Sequence, residues 1–223
     1  MAAELESYFR KIGGGMSEIL PGLFVGCLRD ASDGYQLNRN KITHVLSVHS
    51  GSSDASAAAC QRLAIERRCI QLTDTMCTDL LTAITDANQF IHAARIKNGR
   101  VLVHCFLGCS RSAAIVTAYL MTHTGRDFFA CLQLVTRMRT TANPNFGFRM
   151  QLKKFEQSGV IEERAKLHAM FGMTASPTAA EDCAEMDERL RRVINSNNNM
   201  PLLHRSSPTQ QNANQCQTHQ HST

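Results

Sequence analysis

Short apolar runs and longer amphipathic stretches alternate along this chain, and their spacing predicts both strands and helices. Continuous apolar runs indicate buried strands at about 22–26, 43–49, 69–72 and 101–104. Apolar positions that recur every three or four residues indicate helices at about 30–39, 57–67, 80–97, 111–123, 127–139 and 147–157. Strands that alternate with helices are typical of an α/β fold, in which helices pack on the faces of a central sheet.

The pattern changes in the last third of the chain. One more helix is expected at 160–170, and a charged helical pattern covers Glu181–Ile194. We expect 173–194 to be peripheral to the fold. From Asn195 onwards the sequence is rich in Asn, Gln, Ser, Thr and His, so we expect 195–223 to be a disordered polar tail.

The loop between the strand at 101–104 and the helix at 111–123 carries the most informative residues. Cys105 ends one apolar run, five residues follow, and Arg111 opens the next run. A connection this short must turn sharply, which points backbone N–H groups inward and places a helix N-terminus behind them. Such a site suits a phosphate dianion and favours the thiolate form of a cysteine. The alternative is a packed thiol that happens to precede a surface arginine.

Phosphate chemistry gives each polar residue of this loop a role. Cys105 would attack phosphorus in line and form a phosphocysteine. Arg111 would hold two phosphate oxygens through its planar guanidinium group, which a lysine does less well. The Ser112 hydroxyl would donate to the sulfur as it leaves. His104 would orient the loop rather than act as a base, and Gly108 would relieve backbone strain in the turn.

The reaction also needs a proton donor for the departing oxygen, which is usually a carboxylic acid. Asp74 follows the strand predicted at 69–72, at the same edge of the sheet as Cys105 if those strands are parallel. Asp79 is better explained as a first-turn residue of the next helix, where a carboxylate interacts favourably with the helix dipole. On these local grounds Asp74 is equally well explained as an ordinary turn residue.

Several stretches of the chain resemble one family. His104-Cys105, followed by five residues and Arg111-Ser112, is similar to the signature of the cysteine-dependent protein phosphatases. The fuller pattern resembles the small atypical dual-specificity phosphatases, and most of all the subgroup of the JNK-stimulatory phosphatase and its myristoylated relative. The match covers about 16–172. Its other segments are Ile19–Gly26, Asn40–His49 and Ala142–Phe148.

This resemblance implies a fold, an activity and further residue roles. The implied fold is a central mixed, mostly parallel sheet flanked by helices, with an N-terminal extension at 1–15 and the catalytic domain at 16–172. The implied activity is hydrolysis of phosphotyrosine and phosphoserine/threonine on proteins. Asp74 occupies the place of the family's acid, and Asn145 that of an asparagine that supports the loop. The implied phosphate-binding residues are Phe106, Leu107, Gly108, Cys109 and Ser110.

The substrate class can be narrowed from the same loop. Phosphoinositide phosphatases of this superfamily usually carry lysines there, and the loop interior has none, which favours phosphoproteins over lipids. A MAP kinase pathway component is expected as a partner only by family analogy. The alternative from another class is a phosphoprotein-binding pseudophosphatase or scaffold. Such proteins usually lose the Cys, the Arg or the acid.

Composition sets outer limits on function. The chain has 223 residues and a net charge of +5 with no basic stripe, so we expect no nucleic-acid partner. Its nine cysteines show no paired spacing and follow no secretory signal, which favours a reducing cytoplasmic or nuclear setting. No cysteine or histidine cluster has zinc spacing, so we expect no metal and no cofactor. No apolar run is long enough to span a bilayer.

One departure from the subgroup concerns lipid attachment. The related proteins begin Met-Gly and are myristoylated on that glycine, whereas the matching Gly13 follows Ile12 inside this chain. We therefore expect this chain to be unacylated. An alternative form that starts at Gly13 would be myristoylated.

Two other features leave alternatives open. Cys109 lies within the loop, and it is either an inert buried thiol or the partner of a disulfide with Cys105 under oxidation. Arg137 and Arg139 precede the 142–148 segment, where they either attract a phosphorylated substrate or lie at a solvated helix end.

Overall fold

A five-stranded sheet forms the centre of the molecule. The computed structural model describes residues 15–51, 56–172 and 178–198, and within them the strand order is β1-β2-β5-β3-β4. The strands are β1 (Ser17–Leu20), β2 (Leu23–Cys27), β3 (His44–His49), β4 (Glu66–Gln71) and β5 (Val101–Cys105). β1 is antiparallel to β2, and the other neighbours are parallel. The mixed, mostly parallel sheet expected from the sequence is therefore confirmed.

The register of the parallel strands places the candidate site residues at one edge of the sheet. Cys105 at the end of β5 lies beside Cys27 at the end of β2. On the other side of β5, β3 and β4 run in the same direction, and His49 pairs with Gln71 where both strands end. The segment that follows β4 therefore leaves the sheet at the same edge as the loop that follows Cys105.

Alternate residues of each strand point to opposite sides of the sheet. Both sides are apolar, so helices cover both faces. Val25 and Val103 belong to the larger apolar core, whereas Phe24 and Leu102 belong to a smaller one on the other face. The helices are α1 (Leu28–Ser32), α2 (Gly34–Arg39), α3 (Ala57–Arg62), α4 (Leu81–Arg95), α5 (Arg111–Thr124), α6 (Phe128–Met138), α7 (Phe146–Ser158), α8 (Val160–Phe171) and α9 (Ala179–Asn198).

Two predicted elements differ from the structure near the N-terminal half. The single helix expected at 30–39 is divided into α1 and α2 at Asp33, whose carboxylate accepts hydrogen bonds from the backbone of Tyr35 and Gln36 and so starts a new helix. A separate β1 precedes β2, because Pro21 and Gly22, with Gly22 at φ +77°, turn the chain between them.

The helix predicted at 57–67 is too long, and the strand predicted at 69–72 begins too late. The helix α3 ends at Arg62, Ala64 adopts φ +52°, and β4 already begins at Glu66. β4 is an edge strand, and five of its six residues are exposed. A strand exposed on both faces shows no alternation of apolar and polar residues, so its sequence has no period of two.

The helix α9 is packed more closely than its charged sequence suggested. Met186 is 1% exposed and joins the main core, and Asp182 is buried against Arg95 of α4. The helix also extends to Asn198, past the predicted start of the polar tail, whereas 199–223 lie outside the described residues. Residues 1–14 of the N-terminal extension lie outside them as well. In the described part of the chain, no helix is both long and apolar enough to cross a membrane.

Candidate active site

Cys105 lies at the base of a tight loop between β5 and α5. Its side chain is buried, with 2% of the residue exposed. The backbone N–H of Gly108 donates to Cys105 Sγ over 3.2 Å, and the Ser112 hydroxyl donates to the same sulfur over 3.3 Å. Two donors and the N-terminus of α5 therefore face one sulfur atom. The sulfur therefore accepts two hydrogen bonds at the point where α5 begins.

Three carbonyl groups of the loop accept hydrogen bonds from residues outside it, so the loop can direct its N–H groups inward. Leu28 N donates to Phe106 O over 3.2 Å, and Asn143 N donates to Cys109 O over 2.8 Å. Arg139 Nε donates to Gly108 O over 2.7 Å. Because these three carbonyls are turned toward neighbouring segments, the opposite side of the loop forms a concave surface suited to an anion.

Gly108 is required by the loop geometry in two ways. Its φ is +69°, a conformation that L side chains rarely adopt. A Cβ atom at this position would also overlap the carbonyl oxygen of Gly26 and lie 2.6 Å from Arg139 Nη2. Glycine at this position therefore permits the positive φ, and close packing against β2 adds a second constraint.

Arg111 begins α5, and its guanidinium group lies between Leu72 and Asp74. Nη1 donates to Leu72 O over 3.4 Å, and Nε is 3.6 Å from Asp74 Oδ2. Among the described residues, the buried Nε has no hydrogen-bond partner. The planar group is thus held by its surroundings while N–H donors remain available for phosphate oxygens.

Asp74 lies against the phosphate loop rather than in a separate turn. Its Oδ1 accepts from Ser110 Oγ over 2.6 Å and from Asn145 Nδ2 over 2.8 Å. Ser110 Oγ also accepts from the backbone N–H of Asn145 over 3.1 Å. Asp74, Ser110 and Asn145 therefore form a closed triangle of hydrogen bonds, which holds the carboxylate beside the loop. The link from Ser110 to Asp74 was not predicted, because nothing local in the sequence indicates it.

The segment that carries Asp74 is fastened to the first two turns of α7. Asn145 Oδ1 caps this helix by accepting from Phe148 N over 2.9 Å. Further along, Gln151 Nε2 donates to Thr78 O over 2.8 Å, and Leu80 N donates to Gln151 Oε1 over 2.8 Å. The Asp79 carboxylate accepts a hydrogen bond from Leu81 N at the start of α4, and this bond does not involve the phosphate loop.

His104 points to a neighbouring strand. Its Nε2 is 2.8 Å from Ser47 Oγ on β3, and its Nδ1 is 3.4 Å from Cys105 O. The ring is 1% exposed and ties β5 to β3 just before the loop begins. This position fits a residue that orients the loop. Because the ring is closed off from solvent, it does not fit a base.

Arg139 is buried against the loop that follows Cys105, which the sequence did not indicate. It was expected either to attract substrate or to lie in solvent with Arg137, but it is 3% exposed. Besides its bond to Gly108 O, its Nη1 donates to Gly15 O over 3.2 Å and lies 3.4 Å from Val25 O. Arg137 is exposed as expected. Arg137 lies in α6 and Arg139 just after it, and the sequence alone gives no sign of which of the two is buried.

Two cysteines lie close to Cys105 and have different surroundings. Cys109 Sγ is 3.5 Å from Leu107 O, and the residue is half-buried. Cys27, beside Cys105 in the sheet, is buried, and its backbone N–H donates to Asp30 Oδ2 over 2.8 Å. Burial and the nearby Asp30 carboxylate raise the pKa of Cys27 to about 11, so that thiol stays protonated at neutral pH.

The arrangement matches a known family over most of its length. The model of the dual specificity phosphatase catalytic domain matches residues 23–158. Dual specificity protein phosphatase 22 of Mus musculus is 40% identical over 161 residues, which cover 72% of this chain and 84% of that protein. Dual specificity protein phosphatase 15 of Mus musculus is also 40% identical over 161 residues, covering 72% of this chain and 66% of that protein.

The solved structures agree with the sequence comparison. The crystal structure of DUSP15 superposes with a TM-score of 0.66 and 39% identity, covering 72% of this chain and 99% of that one. The fold, the matched domain and these relatives all support the same assignment, which does not favour a protein that only binds phosphoproteins. The chain therefore belongs to the dual specificity protein phosphatases.

Proposed function

We propose that Cys105 is the nucleophile of this phosphatase, Arg111 its phosphate-binding side chain and Asp74 its general acid. The observation that carries the proposal is the convergence of Gly108 N and Ser112 Oγ on Cys105 Sγ, with Asp74 held at the mouth of the same loop. A structural thiol needs neither donor. A nucleophile that must also depart as a thiolate uses both.

In the first half-reaction, the Cys105 thiolate attacks phosphorus opposite the ester oxygen. The S–P bond forms as the P–O bond to the leaving group breaks, and Asp74 transfers its proton to the departing oxygen. The inward N–H groups of the loop and the Arg111 guanidinium group hold the non-bridging oxygens throughout. They supply positive electrostatic potential where negative charge is spread in the transition state.

In the second half-reaction, water attacks the phosphorus of phosphocysteine. The Asp74 carboxylate accepts a proton from that water, the new P–O bond forms, and the S–P bond breaks to release inorganic phosphate. Ser112 Oγ, 3.3 Å from the sulfur, donates to the thiolate as it leaves and lowers the cost of its charge. His104 and Asn145 act on the shape of the loop and on the position of Asp74.

Hydrolysis of a series of aryl phosphates by the purified chain tests these roles. Cys105→Ser is expected to abolish turnover above background. Asp74→Ala is expected to lower kcat about 10²- to 10⁴-fold for poor leaving groups and little for good ones, because only poor ones need the proton. Asp79→Ala is the matched control from the same segment, and it should leave kcat unchanged. An equal loss by Asp74→Ala across all leaving groups would contradict the acid role.

The substrates proposed are phosphoproteins carrying phosphotyrosine and phosphoserine/threonine, including components of a MAP kinase pathway. Support comes from the family and from the absence of lysine among the loop residues from Phe106 to Ser110. Capture of phosphoproteins from cells by Cys105→Ser or Asp74→Ala, followed by their identification, tests this. Capture of no MAP kinase pathway component would remove that part of the proposal.

The proposed location is the cytoplasm, and also the nucleus, and a form of the protein that starts at Gly13 would attach to membranes. The unpaired spacing of the nine cysteines supports a reducing compartment. The sequence that begins at Gly13, a residue outside the described ones, supports the acylated form. Intact-mass measurement of the protein from cells tests this. A mass that matches a myristoylated chain from Gly13 would establish the attached form, since a single acyl chain gives reversible membrane binding.

A further inference from the structure

Four large apolar side chains remain exposed on the segments that enclose the phosphate loop. Phe106 is 43% exposed, Met76 64%, Phe146 67% and Met150 54%. Phe106 is the first loop residue after Cys105. Met76 lies two residues after Asp74, and Phe146 follows Asn145, so each of these three is within two residues of the site.

Met76 and Phe146 belong to segments in direct contact. A Cβ atom on Gly147 would overlap the backbone of Met76, so the chain at Met76 lies directly against the start of α7. Asn145 Nδ2 lies 3.4 Å from Thr75 O and joins the same two segments one residue earlier. Met150 lies one turn after Phe146 on the same face of the helix. We call Met76, Phe106, Phe146 and Met150 the apolar rim.

The polar residues around the rim are largely engaged within the protein. Arg149 is exposed, but its guanidinium group binds Pro144 O over 2.8 Å and Asn143 Oδ1. Asp79 accepts from the backbone at the start of α4. Thr75 and Thr78 bind each other through their hydroxyl groups over 2.7 Å. The loop interior is suited to phosphate, whereas its immediate surroundings offer apolar surface.

Exposed apolar side chains that border a binding site are a common mark of recognition. We propose that the apolar rim binds the residues that flank the phosphorylated side chain, and that it selects phosphoprotein segments with a large apolar residue next to that side chain. This proposal rests on the phosphatase function and adds a sequence preference to it. Phosphate would bind in the loop while the neighbouring side chain covers Phe146 and Met150.

The occupant is a protein segment rather than a membrane for two reasons. The loop lacks the lysines that extra headgroup phosphates require. Of the basic side chains described on this part of α7, Arg149 binds Pro144 O and Asn143 Oδ1, and Lys153 pairs with Glu156. Lys154 is exposed one turn after Met150, but one charge is not the cluster that strengthens binding to anionic lipid. A protein segment needs only one side chain beside the phosphorylated residue to contact the rim.

Two phosphotyrosine peptides test the preference, identical except that leucine flanks the phosphotyrosine in one and serine in the other. We expect kcat/KM to be about tenfold higher for the leucine peptide, which corresponds to about 1.4 kcal/mol. Phe146→Ser and Met150→Ser should each remove most of this difference by raising KM for the leucine peptide. Neither variant should change turnover of a small aryl phosphate, since that substrate does not reach the rim.

Met170→Ser is the matched control, because Met170 on α8 is 54% exposed, the same fraction as Met150. It should leave both peptides unchanged. Equal kcat/KM values for the two peptides in the wild type would overturn the proposal, and so would equal effects of Met150→Ser and Met170→Ser. A loss by Phe146→Ser on a phosphoinositide in phosphatidylcholine vesicles, with both peptides unchanged, would assign the rim to membranes and overturn it too. Failure of the wild type to hydrolyse even the aryl phosphate would instead contradict the phosphatase function.

Discussion

Replacing Arg139 by Met tests whether this buried side chain holds the phosphate loop in its active shape. Arg139 lies just after α6, and its Nε donates to Gly108 O over 2.7 Å while Nη1 donates to Gly15 O over 3.2 Å. Methionine keeps the apolar stem of the side chain but none of its donors. The variant therefore removes the hydrogen bonds and preserves most of the packing.

The expected loss of stability follows from those two bonds. A hydrogen bond to a charged group contributes about 1.5–3 kcal/mol, and a buried carbonyl left without a partner incurs a further penalty. Offset by the avoided cost of burying the charge, this gives a decrease of about 3 kcal/mol in the free energy of unfolding. Small shifts of a catalytic loop are costly, so kcat should also fall about 10- to 100-fold.

Urea unfolding and aryl phosphate hydrolysis measure the two effects separately. Kinetics are recorded at a temperature where the variant is folded, so that a lower kcat reports loop geometry rather than loss of protein. Arg137→Met is the matched control, because Arg137 lies two residues away and is exposed. Its free energy of unfolding should change by less than about 0.5 kcal/mol. Arg139→Lys should be intermediate, because lysine keeps the charge without the planar fork.

Equal results for Arg139→Met and Arg137→Met in both measurements would show that Arg139 does not hold the loop. A stability loss with unchanged kcat would mean that Arg139 supports the fold without shaping the loop. A loss of kcat at full occupancy of the folded state is the result that identifies it as a positioning residue for the reaction.

Three further predictions concern buried groups. Asp182→Asn should destabilise the chain by about 3–5 kcal/mol in urea unfolding, because it leaves the Arg95 charge buried without its partner. Asp187 lies on the same helix as Asp182 and forms an exposed pair with Arg126, so Asp187→Asn should cost under about 1 kcal/mol. Burial, with the nearby His123 and Arg95, lowers the pKa of His92 from 6.5 to about 4, so the unfolded chain binds a proton that the folded chain does not. The free energy of unfolding should therefore fall by roughly 2 kcal/mol from pH 7 to pH 5, and a His92→Gln variant with the same pH dependence would contradict this. Gly108→Ala should reduce kcat more than 100-fold, which corresponds to an activation free energy higher by about 3 kcal/mol or more. The reason is that φ is positive at this position and a Cβ atom there would overlap Gly26. An active variant would show that the loop can rearrange.

Most strands and helices were predictable because their apolar residues repeat with the period of the element. The helix α5 is buried along nearly its whole length and β5 is buried throughout, so both appear as continuous apolar runs on either side of the Cys105 loop. The edge strand β4 was misjudged for the opposite reason. Its stability comes from pairing with β3, and pairing leaves no mark in a strand whose residues are largely exposed.

The charged residues were harder to place than the apolar ones. Arg139 and Asp182 look like surface residues in the sequence, but both are at most 3% exposed. Their burial depends on partners far away in the chain, at Gly15, Gly108 and Arg95. A charge is buried only where such partners converge, and that convergence is a property of the folded chain.

The order of Cys105, the loop and Arg111, and the apolar elements on either side, can be read from the amino-acid sequence, because local sterics and hydrophobic periodicity act over a few residues. On local grounds the sequence left two interpretations of Asp74, as a proton donor and as an ordinary turn residue. Only the tertiary structure placed Asp74, Ser110 and Asn145 within hydrogen-bond distance of one another, since parallel strands and the start of α7 bring three distant segments to one edge of the sheet. Hydrogen bonds act only over short distances, so a site made of separate segments is decided by how the chain packs.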